Sequence, residues 1–189
     1  MVGVATIDES GDGLTVVVTG AESSGKTTLA RTLGERLGVP WVAEFAREFL
    51  TKRPGYTAED LWTIAEGQRT AELATAARHP LIVVDTDLLV IRIWSEVRYG
   101  ARDPRLDARI AEMLVSRRRR LYLVTRPDMP WEPDPLREHP HERERLHALH
   151  LELLAELELD HVEVAGPPEQ RLVAAHAAVA SALARTTTR

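Results

Sequence analysis

Between Gly20 and Thr27 the chain reads Gly20-Ala21-Glu22-Ser23-Ser24-Gly25-Lys26-Thr27, a glycine at each end of the turn followed at once by an ammonium and a hydroxyl. Glycines at this spacing let the backbone wrap so that successive N–H groups converge on one anion, and a helix leaving near Gly25 adds its N-terminal field. Lys26 can then reach the β- and γ-phosphates of ATP, and the Thr27 hydroxyl can ligate Mg²⁺. Gly20, Glu22, Ser23, Ser24, Gly25, Lys26, Thr27 and Thr28 are the candidate nucleotide contacts. The chain has only two lysines, Lys26 and Lys52, among its 24 basic residues. A thin ammonium fits a ring of backbone donors where a planar guanidinium does not, which gives an arginine-favouring chain a steric reason for Lys26. Lys52 reads as a solvated cation at a helix C-terminus.

Two further segments carry carboxylates suited to phosphoryl chemistry. Leu81-Ile82-Val83-Val84-Asp85-Thr86-Asp87 is an apolar run closed by Asp85, which could orient Mg²⁺ directly or through water. Asp87 could contact substrate or cap the helix expected from Leu88. Trp41-Val42-Ala43-Glu44-Phe45-Ala46-Arg47-Glu48 puts Glu44 at the carboxyl end of a strand, the side on which ligands of open α/β sheets bind. Glu44 could accept a hydroxyl proton and Arg47 could hold a hydroxyl-rich substrate; acids complementing a helix N-terminus are the alternative, above all for Glu48. Which of Glu44, Asp85 and Asp87 is the general base stays open.

Segment Met129–His141 holds four prolines and reads as a loop, part of a lid spanning about 129–145. Arg137 on it could close over ATP and neutralise the charge that develops on the transferred group. Trp131 and Trp62 could stack on a flat ring or pack in the core. Arg143 and Arg145, flanked by Glu142 and Glu144, read as a solvated helix face. Arg117–Arg120 reads as a cation run complementing a helix end, and His139, His141, His147 and His150 as solvated histidines rather than a metal cluster.

These residues need a scaffold that delivers them to one edge. Apolar, β-branched runs at Leu14–Thr19, Val39–Glu44, Leu81–Val84, Leu121–Thr125 and His161–Ala165 predict strands covered on both faces, as in a parallel sheet. Helices are expected over Gly25–Leu37, Thr57–Ala77, Leu88–Tyr99, Leu106–Arg118, Pro140–Leu157 and Pro168–Ala184, the last with Leu172, His176, Val179, Ala180 and Leu183 facing the sheet. The alternation predicts a doubly wound α/β fold, a three-layer P-loop NTPase architecture. With 189 residues the expectation is a single domain, 1–13 forming an N-terminal extension and 185–189 a tail.

Composition removes several classes. A net charge of −5 gives no overall pull toward nucleic acid or anionic lipid, so an anion must be bound locally. The absence of cysteine excludes a disulfide framework and fits a reducing, cytoplasmic setting. No basic and apolar leader precedes Leu14, and Leu172–Ala184 is too short to span a bilayer. The chain contains no asparagine, so it cannot supply the N-K-x-D element with which Ras-type GTPases read guanine, and it lacks L-S-G-G-Q. A small-molecule kinase or a nucleotide-dependent regulatory module remains.

The P-loop, Glu44-Phe45-Ala46-Arg47-Glu48, Ala65-Glu66-Gly67-Gln68, Asp85-Thr86-Asp87 and Pro130-Trp131-x-x-Asp134-x-x-Arg137 occur in that order. Together they resemble the ribosylnicotinamide kinase domain of the NadR family, over about Leu14 to Leu183. The resemblance implies a nucleoside-kinase-like sheet of order 2-3-1-4-5 and transfer of a phosphoryl group from Mg²⁺-ATP to the 5′-hydroxyl of nicotinamide riboside, giving nicotinamide mononucleotide. It implies that Lys26 and Thr27 serve ATP and Mg²⁺, Asp85 the metal, Glu44 and Arg47 the acceptor side, and Arg137 the lid; Asp87 and Trp131, read from the residues themselves, are further candidate substrate contacts. Members with an adenylyltransferase domain carry an H-x-G-H-type motif, which this chain lacks, so adenylylation is not expected. Pro135 stands where multifunctional members have Gly, which resembles a stand-alone branch. A regulatory P-loop ATPase and another nucleoside or sugar kinase are the alternatives.

Overall fold

Leu14–Gly20 (β1) is a seven-residue strand buried along its whole length. A strand buried on both faces must be paired on both edges and covered above and below, and this requirement shapes the rest of the chain. The computed structural model describes residues 13–51, 53, 55–132 and 141–185. Lys26–Leu37 (α1), Trp41–Val42 (β2), Phe45–Leu50 (α2), Ala58–Ala76 (α3), Leu81–Asp85 (β3) and Leu88–Tyr99 (α4) follow β1. Pro104–Leu114 (α5), Arg119–Thr125 (β4), Arg143–Glu156 (α6), His161–Val164 (β5) and Pro168–Ala184 (α7) complete the order. The five strands form one all-parallel sheet, β2-β3-β1-β4-β5, the order that the sequence motifs imply.

Period-two alternation along the central strands divides the core. Val16 and Val18 of β1 with Leu121 and Leu123 of β4 face α1 and α7, meeting Leu29, Leu33, Ala175 and Val179. Val17, Tyr122 and Val124 face the other layer, α2 to α6, which supplies Leu61, Ile64, Ile91, Ile110, Met113 and Leu154. Local signals set the helix starts: Thr57 and Asp60 form a reciprocal capping box before α3, and the Asp103 side chain accepts from Arg105 N before α5, with Pro104 in the first turn. Among the described residues no helix is long and apolar enough to cross a membrane.

Several boundaries and faces differ from the sequence expectation. The second strand is only Trp41–Val42, because Phe45 opens α2. The helix expected to reach Arg118 ends at Leu114, and β4 begins at Arg119. On α7 the buried residues are Arg171, Ala175, Val179 and Ala182; of the predicted stripe Val179 is buried and Leu172 packs half-buried against the core, while His176, Ala180 and Leu183 are exposed. Arg171, bonded into the interior, sets the helix's rotation. Arg117–Arg120 is likewise not a uniform solvated run. Arg118 donates to Thr15 Oγ1 at 2.8 Å and to the Pro80 carbonyl at 3.2 Å, and Arg119 to the Ala182 carbonyl at 2.9 Å.

Arg120 departs furthest from that expectation. Its side chain is 5% exposed and lies between the buried Glu72, to which it is ion-paired, and Asp87 Oδ2 at 3.3 Å. Tyr122 donates its hydroxyl to the same Asp87 oxygen at 2.7 Å, and Arg69 pairs with Glu72 at 2.7 Å. Burial pushes the Asp87 carboxyl and the Tyr122 hydroxyl up, with Arg120 opposing both shifts. The group crosses from α3 through β4 to the start of α4, so it staples one layer to the sheet. Removing one member leaves a buried charge without its partner, which costs about 3–5 kcal/mol, whereas exposed ion pairs contribute about 0–1 kcal/mol. Arg120→Met is therefore expected to lower the urea-unfolding free energy by about 3–5 kcal/mol. Arg105→Ala, on the exposed α3–α5 pairs, should leave the urea-unfolding midpoint close to that of wild type.

Candidate active site

The carboxyl ends of β1 and β3 and the helices that follow them converge on a cavity of about 430 Å³. Gly20, at φ +136°, ends β1 so close to β4 that a Cβ would sit 2.6 Å from Thr125 Oγ1. Only glycine permits that approach and that backbone. The loop then turns through Ser23, at φ +52°, and is tied internally. Ser24 Oγ donates to the Ala21 carbonyl at 2.6 Å and shares a hydrogen bond of 2.6 Å with Thr125 Oγ1. Lys26 Nζ donates to the Ala21 carbonyl at 2.8 Å, which holds the ammonium at the mouth of the loop. Gly20, Glu22, Ser23, Ser24, Gly25, Lys26, Thr27 and Thr28 all line the cavity.

Glu44 and Arg47 line the same cavity from the start of α2, 3.9 Å apart at Glu44 Oε2 and Arg47 Nε. The two halves of the expected chemistry, phosphate cradle and acceptor carboxylate, thus share one space. Asp85 is buried and does not line the cavity wall. Burial pushes its carboxyl up, opposed by the Thr27 hydroxyl, Lys26 and Arg47. The Thr27 hydroxyl is near enough to act on it, yet neither Asp85 oxygen has an aligned hydrogen-bond partner. A buried carboxylate with open lone pairs beside a hydroxyl is the donor set that Mg²⁺ uses when nucleotide phosphates and water complete its shell. Among the described residues there is no cluster of three or more His, Asp or Glu that could hold a metal ion.

The structure corrects several sequence readings. Asp87, expected as substrate contact or cap, is a cap: Oδ1 accepts from Leu89 N at 3.0 Å, Oδ2 is taken by Tyr122 and Arg120, and the residue is fully buried and does not line the cavity. Trp131 does not line the cavity; the Arg143 guanidinium lies 5.8 Å from its ring centroid. Trp62 packs beneath Arg105, 4.9 Å from the ring centroid. Arg143 is not simply a solvated residue. It donates to the Met129 carbonyl at 2.8 Å and the Ser23 carbonyl at 3.4 Å, while Glu132 N donates to Ser23 Oγ at 2.9 Å. The start of the lid is therefore seated on the P-loop. Arg145 matches its solvated reading, paired with Glu142. Arg137, His139 and Lys52 lie outside the described residues.

Two site residues escaped the sequence reading. Arg171, from α7, is buried and donates to the carbonyls of Ser24 at 2.5 Å, Gly166 at 2.7 Å and Arg126 at 2.9 Å, and it is ion-paired with Asp128. One guanidinium so braces the back of the P-loop against the β4 end, a use of its rigid fork of donors. His147 and His150 are buried, not solvated as expected. His147 Nε2 lies 2.9 Å from Glu163. His150 faces the cavity, and its Nδ1–H donates to the Leu146 carbonyl at 2.7 Å.

Burial lowers the His150 pKa from 6.5 to about 4, with Lys26 and His147 adding to the fall and the Leu146 carbonyl opposing it. The unfolded chain therefore takes up this proton near pH 6.5 while the fold resists it to about pH 4. Stability is thus present above pH 6.5 and lost as pH falls toward 4. At 1.36 kcal/mol per unit the loss is about 3 kcal/mol. His150→Gln should remove that component. Urea midpoints of wild type and variant, compared at pH 7.5 and pH 5, are expected to diverge less at the lower pH.

The comparisons with known proteins bear on this architecture. No curated protein matches the chain. A solved NadR protein, in complex with NAD and AMP-PNP, superposes with a TM-score of 0.68 at 24% identity, over 88% of this chain and 48% of that one. NadR in complex with NR gives 0.67 at 22% identity over the same shares. A thymidylate kinase from Ehrlichia chaffeensis gives 0.60 at 14% identity over 91% of this chain and 99% of its own. The chain thus spans about half the length of the NadR chains, and these likenesses establish the nucleoside-kinase-like P-loop fold. The model of the AAA domain matches residues 15–171, the stretch that runs from β1 through the P-loop to Arg171, and the chain belongs to that family.

Proposed function

We propose that the protein is an ATP-dependent small-molecule kinase that transfers the γ-phosphoryl group to the 5′-hydroxyl of a riboside, nicotinamide riboside being the leading acceptor. The observation that carries this reading is the shared cavity: Glu44 and Arg47 line it opposite Lys26 and Thr27. The NadR structure in complex with NR supports the choice of acceptor. Apolar side chains also line the cavity, among them Leu50, Val90, Ile93 and Trp94, which suits a flat ring.

In this scheme the backbone N–H groups of Gly20–Thr27 and the Lys26 ammonium hold the phosphates. Thr27 and Asp85 would hold Mg²⁺, which supplies charge neutralisation on the β- and γ-oxygens. Glu44 accepts the proton of the riboside hydroxyl as its oxygen bonds to the γ-phosphorus and the bond to the β-bridging oxygen breaks, releasing ADP. Arg47 orients the acceptor, and Arg137 remains the lid candidate. Catalysis rests on positioning and on electrostatic stabilisation.

Incubation of the purified protein with Mg²⁺-ATP and a panel of ribosides, deoxynucleosides and sugars tests this directly. Nicotinamide mononucleotide is the expected product. A different phosphorylated acceptor would move the assignment to another nucleoside or sugar kinase, and hydrolysis without any acceptor would sink the kinase reading in favour of a regulatory ATPase. Glu44→Gln should lower kcat by about 10²–10⁴-fold while nucleotide affinity stays within about twofold, because the base acts only on the acceptor proton. Lys26→Ala should abolish nucleotide binding in a fluorescent-analogue titration.

A further inference from the structure

Gln68, near the middle of α3, is 1% exposed and makes hydrogen bonds to two separate corners of the site. Its Oε1 accepts from Phe45 N at 2.7 Å, at the residue that follows Glu44. Its Nε2 donates to the Thr86 carbonyl at 3.2 Å and to the Asp85 carbonyl at 3.4 Å. We infer that Gln68 is a positioning residue that holds the acceptor carboxylate Glu44 and the metal-side carboxylate Asp85 in fixed register.

Both corners need such a hold. Thr86 has φ +67°, a left-handed backbone that a β-branched residue adopts only when its surroundings impose it. Thr86 N donates to the Val18 carbonyl at 3.0 Å, which ties the residue to β1 on its amide side; Gln68 ties it on its carbonyl side. On the acceptor side the Phe45 N–H is one of the free donors of a short helix, and Glu44 makes no side-chain cap to α2. Gln68 supplies the missing acceptor. The neighbouring Gly67 lets this approach happen, because a Cβ there would fall 2.4 Å from the Phe45 ring. An amide is the one side chain of this length that accepts at one corner and donates at the other. Glutamate would keep the Phe45 bond and lose both donations, and methionine would lose all three.

The inference takes the roles of Glu44 and Asp85 from the kinase reading above. Its test uses the full chain, with Gln68→Met and Gln68→Glu, a non-hydrolysable ATP analogue, and Mg²⁺. Gln68→Met should bind the Mg²⁺-free analogue within about twofold of wild type, since no P-loop hydrogen bond involves Gln68. The tightening of that binding by Mg²⁺ should fall about tenfold, and amide exchange at Phe45 should speed about tenfold, the scale of one lost hydrogen bond. With the riboside, kcat should drop about 10–100-fold while the KM for ATP holds.

Gln68→Glu separates the corners: Phe45 exchange should stay slow while the Mg²⁺ effect is lost, and this variant decides the matter if the methionine variant fails to fold. Wild-type exchange and an undiminished Mg²⁺ effect in either variant that folds would overturn the inference, as would loss of Mg²⁺-free nucleotide binding, which marks a general structural role. Should wild type phosphorylate no riboside while the exchange and Mg²⁺ effects appear, the kinase reading fails and the positioning role stands.

Discussion

The site depends on β1 being buried along its whole length. A central parallel strand has no freedom to shift: β3 and β4 lock its edges in register, Val18 opposite both Asp85 and Leu123. Its two faces are filled by separate cores. A slip of one residue would exchange those faces and drive every valine into the wrong layer. The P-loop leaves from the end of this strand, so its backbone donors inherit the strand's position. Asp85 reaches the same level through its pairing with Val18, and Gly20 through its pairing with Thr125. Parallel pairing thus brings the P-loop and the Asp85 carboxylate to one edge before any side chain makes a bond.

Holding that edge against the helices falls largely to arginine. Arg118 reaches the turn before β3, Arg120 joins α3 to β4 and the start of α4, Arg143 joins α6 to the P-loop, and Arg171 joins α7 to it. In three of the four the partners include backbone carbonyls, which a guanidinium can collect several at a time because its donors point in a planar fork. Lysine could satisfy one or two of these acceptors and would leave the others buried and unpaired. The arginine-rich composition is in this sense a consequence of how the layers are tied. The P-loop is where the reverse holds: its ring presents backbone N–H donors, and a compact ammonium is the shape that fits beside them.

What was legible in the sequence follows from the range over which each signal acts. The strands, the P-loop and the carboxyl end of β3 are written in consecutive residues, as β-branched runs and fixed glycine spacing, and their places were readable. Glu44 could be placed because strand ends face ligands in this class of sheet. Arg171 could not, because its acceptor Ser24 lies 147 positions away in the sequence. Arg120 looked like one of four adjacent cations, yet its ion pair to Glu72 spans 48 positions. His150 looked like one of several histidines on a polar helix. Burial alone distinguishes it, and the weak amphipathicity of α6 concealed that burial. The α7 stripe was misplaced for a related reason, since a hydrophobic pattern cannot anticipate that the residue turned inward at its start is a charged one.

The polar atoms left without partners fall unevenly over the described residues. The staple around Arg120 is nearly complete, with Glu72 Oε2 its one open oxygen, and the brace at Arg171 has no open atom. Both Asp85 oxygens, by contrast, are unpaired at 0% exposure, and Nε2 of the buried, cavity-lining His150 is unpaired too. A buried open acceptor costs about 1–3 kcal/mol, and folds concentrate such costs where a ligand must be met. Satisfying Asp85 with a neighbouring arginine, as Asp87 is satisfied two residues later, would stabilise the chain and remove the open lone pairs that a hard cation needs. Two carboxylates separated by one strained threonine therefore serve opposite ends. Asp87 is bonded at both oxygens and holds α4 in place, and Asp85, carried at the end of β3, keeps both oxygens open.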